Sequence, residues 1–418
     1  MIKFLHAADL HLDSPLKGLE NYEGAPVQQV RQATRRALEH LVEVAVSEPV
    51  DFVLIAGDLF DGDWRDYNTG LFFVSQAGRL NAAGIPLFIV AGNHDAAGRM
   101  TRSLPYPRKD SVFSSSRPET RILEPLKVAI HGQSFPVAAT MDNLARSYPE
   151  PLPGFFNIGL LHTSLTGRQG HEPYAPCTLA DLHSRGYDYW ALGHVHQFEI
   201  VSRQPAVVFP GCTQGRHIRE TGPKGGVLVT AAEGEAPAIM HVPLDVIRWE
   251  SLSVDLSGAV VFDEVLERFT DAVEPVVEKH DGLPVIVRVV FVGRTGVHGR
   301  LAADPEHLRQ AARAAAMGAF GDRVWVEKVL VETVAEARGG TDAGPLGELD
   351  QFVASLRGDT AELAALGDAL DHLMQKLPSE YRLSPEALRP DDPDRMRQLV
   401  DQAHALLAAR LGREGTAP

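Results

Sequence analysis

Five short blocks of this sequence carry side chains that bind metal: Asp9-Leu10-His11, Gly57-Asp58, Gly92-Asn93-His94-Asp95, His162, and Gly193-His194-Val195-His196. Each stands at the end of an apolar run: Ile2 to Ala8, Asp51 to Ala56, Pro86 to Ala91, Phe156 to Leu161, and Tyr187 to Leu192. Runs of this length, rich in β-branched and aromatic residues, read as strands covered on both faces. Each block is unremarkable alone, since a carboxylate after glycine often caps a helix, Gly-Asn often turns the chain, and a single histidine often packs. Five at the same place in their own strands imply one rim lined by His, Asp and Asn, donors that suit Mn²⁺, Fe²⁺ or Zn²⁺. In Asp9-Leu10-His11 the period of two sends both ligand-type side chains one way and Leu10 back into the core.

In this order the blocks resemble the signature of the calcineurin-like metallophosphoesterases: D-x-H, G-D, G-N-H-[DE], an isolated His, then G-H-x-H. Within that family the chain is most similar to the Mre11/SbcD-type DNA-repair exonucleases, and among them to the bacterial YhaO branch. The resemblance implies an α+β protein, a four-layer α/β/β/α sandwich with a small α+β capping domain and a helical C-terminal tail. It also implies two divalent ions, with Mn²⁺ expected and Fe²⁺ or Zn²⁺ as alternatives. The first would be held by Asp9, His11, Asp58 and His196, and the second by Asp58, Asn93, His162 and His194. Two cations roughly 3.5–4 Å apart need an anionic bridge, and Asp58 on a central strand suits that place. A water acidified by both ions then serves as nucleophile, so no Ser or Cys is required. His94 is left to stabilise the charge developing on phosphorus or to protonate the leaving oxygen. Asp95 is expected either to orient that imidazole or to cap the following helix. Asp61 stands where the archaeal and eukaryotic double-strand-break nucleases have a histidine, which leaves His94 as the main acid candidate.

Composition bounds the function. A chain of 418 residues suggests two or three domains. A formal net charge of −15 argues against an indiscriminate grip on nucleic acid, so a nuclease would rely on the metals, a local basic lining or a partner. Candidates are Arg99, Arg102, Arg108 and Lys109 beside the rim, the alternative being a solvated loop. Gln214, Arg216 and His217 follow in a turn that resembles the Pro-Gly-Ser-like block of related nucleases, and His171 lies in a polar loop after His162. No apolar run is long enough to span a membrane. Met1 leads directly into the first strand without the pattern of a signal peptide. Cys177 and Cys212 are too few for a disulfide framework, so a cytoplasmic location is expected.

Helical spacing marks helices over about Val27 to Ser47 and Asn68 to Ala83. Residues 1–245 are read as the nuclease domain and 246–335 as the α+β cap, a β-α-β-α-β pattern without ligand clusters. By resemblance the cap controls which DNA ends reach the metals; dimerisation is its other reading, and a homodimer stays open. Residues 336–348 read as a linker. The helical segment 349–418 carries the stripe Leu363, Leu366, Leu370, Leu373 and Leu377, read as a face packed on the protein itself. From Thr341 on there are 14 acidic against 8 basic residues, so this tail is a poor DNA binder. In the nucleases it resembles, such a segment grips the coiled-coil base of an SMC-like ATPase. No G-x-x-x-x-G-K-[ST] loop occurs, so any ATP-driven step needs that partner. The expectation is two-metal hydrolysis of DNA phosphodiesters. A phosphomonoesterase or protein phosphatase of the same fold is the first alternative, disfavoured because Gly62 follows Asp61 where those phosphatases place Arg. An inactive scaffold is the second, disfavoured because a rim of costly polar groups would then serve nothing.

Overall fold

A computed structural model describes residues 1–14, 27–61, 67–97, 104–108, 110–165, 174–280, 282–336, 345–374, 376–377 and 389–414. In chain order the first part runs β1 (Ile2–Ala7), α1 (Val27–Ser47), β2 (Phe52–Ala56), α2 (Tyr67–Ala82), β3 (Leu87–Val90), α3 (Asn93–Ala97), β4 (Glu119–Leu123), β5 (Val128–Gly132), β6 (Phe156–His162), α4 (Leu179–His183), β7 (Tyr189–Gly193), β8 (Glu199–Arg203), β9 (Ala206–Phe209), β10 (Gly225–Ala231) and β11 (Ala238–Pro243). One sheet has the order β11-β10-β1-β2-β3 and the other β4-β5-β6-β7-β9-β8. Within them β1-β2-β3 and β5-β6-β7-β9 are parallel, so the carboxyl ends of the ligand-bearing strands share one edge in each sheet.

Burial follows the strand period of two. Phe4, Phe52, Leu54 and Phe88 point between the sheets, against Ile130, Ile158, Leu160, Tyr189 and Val208 of the second. The alternate residues Leu5, Val53, Ile55 and Ile89 meet Leu38, Leu41 and Phe73 of the two long helices. On the far side Trp190 and Leu192 pack with Leu182 of α4 and with Tyr148. The result is the expected four layers, and both strand faces are buried, which is why these strands read as unbroken apolar runs. Helix α4 is short but capped at both partners: Thr178 accepts from the Asp181 N–H, and Asp181 accepts from the Thr178 N–H.

The chain divides into two compact units, Met1–Glu250 with His280–Val287, and Ser251–Lys279 with Arg288–Pro418. The later elements are β12 (Arg248–Asp255), α5 (Phe262–Lys279), β13 (Val285–Thr295), α6 (His298–Ala303), α7 (Pro305–Phe320) and β14 (Val324–Ala335). The three strands form one sheet in the order β12-β13-β14. Phe262, Val265, Phe269, Val273 and Val277 make the buried stripe of α5. The tail holds α8 (Pro345–Gly358), α9 (Thr360–Met374) and α10 (Pro393–Glu414). The helical segment read from 349 is interrupted between α8 and α9, because Asp359 turns its carboxylate onto the N–H groups of Ala361 and Glu362 and starts a new helix. Leu363, Leu366 and Leu370 pack with Val353, Met396 and Val400, whereas Leu373 is exposed. No helix among the described residues is long and apolar enough to cross a membrane.

Candidate metal centre

The rim blocks converge in the first unit. Asp9 and His11 do not continue the strand as the period of two requires. β1 ends at Ala7, and the two residues adopt φ of +52° and +43°, while Asp58 has +52° and His194 +105°. Left-handed backbone at non-glycine residues costs energy and persists only where the surroundings over-determine it. Here backbone bonds do so: Asp9 N–H donates to Gly57 O at 3.0 Å and His11 N–H to Asp58 O at 3.0 Å. The motif glycines are required by crowding. A Cβ on Gly57, itself at φ +94°, would land on the His162 ring, and one on Gly92 would land on Asp58 Oδ1.

Ligand-type atoms gather in two groups, Asp9/His11/His196 and Asp58/His162/His194, with a third, His11/Asp58/His94, that joins them, the atoms of each lying within 4.8 Å of one another. Asp58 lies between them, its Oδ2 at 3.9 Å from His11 Nε2 and 3.6 Å from His162 Nε2. His162 Nδ1–H donates to Ala56 O at 2.8 Å, which leaves a lone pair on Nε2 facing the Asn93 carbonyl oxygen at 3.0 Å. His196 Nδ1–H donates to Glu220 Oε1 at 2.6 Å, and its Nε2 faces His11 Nε2 at 3.3 Å. Acceptors converging on acceptors fit a cation, and the outward hydrogen bonds fix the tautomers that ligation needs. Burial lowers His11 and His162 to about 3, so both are neutral, as ligands must be. Burial also pushes Asp9 up to about 7, with His196 opposing the rise and Asp58 adding to it. The Asp9 and Asp58 carboxylates beside neutral imidazoles at His11 and His162 suit divalent ions, and the donors expected from the sequence lie together at this rim.

The orienting carboxylate for His94 is Asp61. His94 Nδ1 lies 3.1 Å from Asp61 Oδ1, and this bond raises the imidazole above its ordinary value against the cost of burial. The approach of His11, its Nδ1 at 3.6 Å, and the bond from His94 hold Asp61 well below the usual carboxylate range. Asp95, expected in this role, instead accepts N–H bonds from Leu59, Phe60 and Gly92 and ties two motif loops together. Both oxygens of this buried carboxylate are engaged by backbone donors, while the His94 ring is held by Asp61.

The expected substrate residues fare unequally. Gln214 is buried and spends its amide on Gly215 O, Ile247 O and the Val246 N–H, so it braces residues 245–247 instead of facing substrate. Arg216 is engaged by Glu220 at 3.2 Å, and His217 Nε2 lies 3.5 Å from the same carboxylate at the more exposed margin. Arg108 is exposed and paired with Asp110. Arg99, Arg102, Lys109 and His171 lie outside the described residues. Glu220 was not anticipated, because it follows His196 by 24 residues with no periodic relation to it. Burial opposes its ionisation, yet the bond from His196 and the charge of Arg216 outweigh that and hold it low. A further grouping of His196, Cys212 and Glu220 needs no ion, since Arg216 neutralises the carboxylate and the buried Cys212 thiol stays protonated.

A calcineurin-like phosphoesterase family model matches residues 2–198, spanning all five blocks, and a model described as the middle domain of the metallophosphoesterase YhaO matches residues 249–334. The uncharacterized metallophosphoesterase YhaO of Bacillus subtilis (strain 168) is 39% identical over 296 residues, 70% of this chain and 72% of that one. The chain belongs to the calcineurin-like metallophosphoesterases and is YhaO-like. More distant relatives of this metallophosphoesterase are two archaeal proteins named DNA double-strand break repair protein Mre11. That of Sulfurisphaera tokodaii is 26% identical over 58% of this chain and 63% of its own length. That of Aeropyrum pernix is 28% identical over 63% and 66%. This chain therefore spans just under two thirds of each of these two proteins.

Proposed function

We propose that this metallophosphoesterase is a two-metal-dependent phosphodiesterase that cleaves DNA. The observation that carries the phosphoester chemistry is the pair of ligand groups with Asp58 Oδ2 between them, within 3.9 Å of His11 Nε2 and 3.6 Å of His162 Nε2, and the Asp61-held His94 beside them. Asp9, His11, Asp58 and His196 would hold one ion and Asp58, Asn93, His162 and His194 the other. When bound, the ions supply Lewis acidity toward the phosphoryl oxygens and an acidified water. The chain's own part is to set the ligand tautomers through Ala56 O and Glu220. His94 binds Asp61 through Nδ1, which leaves Nε2 to give a proton to the departing oxygen. Mn²⁺ is the expected metal, on donor type. The DNA assignment is supported by the Mre11 relatives and by the second unit. Two unpaired, buried cysteines agree with a cytoplasmic protein.

Purified protein with Mn²⁺ is offered linear double-stranded DNA, single-stranded DNA and para-nitrophenyl phosphate esters. DNA cleavage that Asp58→Ala and His94→Ala abolish supports the reading. Turnover of monoesters alone identifies a phosphatase, and no turnover with Mn²⁺ bound identifies a scaffold. An SMC-like ATPase partner and a homodimer belong to the same proposal; co-purification and light scattering test them.

A further inference from the structure

The loop after β1 carries a residue that none of the five motifs includes. Ser14 is 5% exposed, and its Oγ donates to Asp61 Oδ2 at 2.8 Å, the carboxylate whose other oxygen binds His94. The same Oγ accepts from Arg216 Nη1 at 3.4 Å. Arg216 Nη2 in turn donates to Glu220 Oε1, the acceptor for His196 Nδ1–H. An unbroken run of contacts thus passes from His94 through Asp61, Ser14, Arg216 and Glu220 to His196. Ser14 is itself held: its N–H donates to His11 O at 3.0 Å, and the neighbouring Asp13 is gripped by Arg35, Thr69 and the Thr34 hydroxyl.

The chemistry of the run is directional. Asp61 Oδ1 is shared between His94 at 3.1 Å and His11 at 3.6 Å, and a carboxylate that is 31% exposed is free to turn toward either or toward water. A hydroxyl on Oδ2 fixes the carboxylate plane. A serine has one proton to give, and an Arg216 N–H on its lone pair leaves that proton for Asp61. We propose that Ser14 and Arg216 are positioning residues for phosphoester cleavage: they fix Asp61 so that it holds His94 through Nδ1 and leaves Nε2 for the departing oxygen. This rests on His94 acting on the leaving group.

The test compares two esters of thymidine 5′-phosphate, p-nitrophenyl with a good leaving group and phenyl with a poor one, in Mn²⁺. A group that aids proton donation matters most where the leaving oxygen is basic, so Ser14→Ala is expected to lower kcat on the phenyl ester about tenfold and on the p-nitrophenyl ester less than about threefold. KM and the Mn²⁺ stoichiometry stay unchanged, and Ser14→Thr, which keeps the hydroxyl, restores most of the loss. Arg216→Lys keeps a charge beside Glu220 but removes the fork that reaches Ser14, and carries the same expectation if Ser14→Ala binds less metal. Equal losses on both esters, or no loss on either, overturn the positioning role while leaving the phosphodiesterase intact. A wild-type protein that binds two Mn²⁺ and cleaves neither ester nor DNA overturns both readings.

Discussion

Asp58, Asp61 and Glu220 are three carboxylates given different work by their surroundings. Asp58 faces imidazoles of both ligand groups, so Asp58→Ala is expected to reduce bound Mn²⁺ below two and to abolish turnover, read by metal titration alongside hydrolysis. Asp61 touches His94 and His11 and lies outside both ligand groups named for the ions. Asp61→Asn should therefore keep two Mn²⁺ while kcat falls roughly 10²-fold, the usual weight of a well-placed acid. Glu220 fixes the His196 ring from behind, and losing such a partner typically costs about 10–100-fold in metal affinity. Glu220→Gln is expected to weaken Mn²⁺ binding in that range, measured by calorimetry. Of the three, Asp58 stands in a sequence motif. Asp61 is near enough to Asp58 to have been noticed, and Glu220 has no local signal because its partner is reached only through the fold.

At the level of elements, the parallel strands explain why short motifs meet. β1, β2 and β3 end at one edge and β6 and β7 at the facing one, and the loops leaving them are forced into tight turns by the positive-φ residues. Glycine is needed where a second loop crosses. Gly92→Ala would drive a Cβ into Asp58 Oδ1 and the backbone N of Asp58, so it is expected to lower the melting temperature and to lose bound Mn²⁺ together. Strand faces were legible from the apolar runs because both sides are covered. The break between α8 and α9 was not, because leucine spacing continues across it and only the Asp359 carboxylate starts the second helix.

For the molecule as a whole, residues 280–287 belong to the first unit although they follow the helix Phe262–Lys279 in sequence. His280 bonds Arg248 at 2.7 Å and Glu250 at 2.8 Å, and Arg248 N–H donates to Pro284 O. A chain ended at residue 250 is expected to melt lower than one ended at 336, which keeps the first unit entire; differential scanning calorimetry decides. Acid should destabilise the metal-free protein. His6 is buried between Tyr189 and the Leu192 carbonyl, and burial lowers it to about 3 from 6.5. Between those values the unfolded chain binds the extra proton, so stability rises with pH and is lost on acidification. His6 alone then contributes a loss of roughly 1–2 kcal/mol between pH 7 and pH 5, and His6→Gln should flatten that part of the melting profile. The sequence by itself determined the donor types, their order and the strands they terminate, because ligation demands particular atoms and buried parallel strands demand apolar runs. Only the tertiary structure decided that Asp61 and not Asp95 holds His94, that Gln214 braces a loop, and that Glu220 stands behind His196. Those pairings join residues remote along the chain, and which of several carboxylates reaches an imidazole depends on backbone turns and crowding that spacing does not encode.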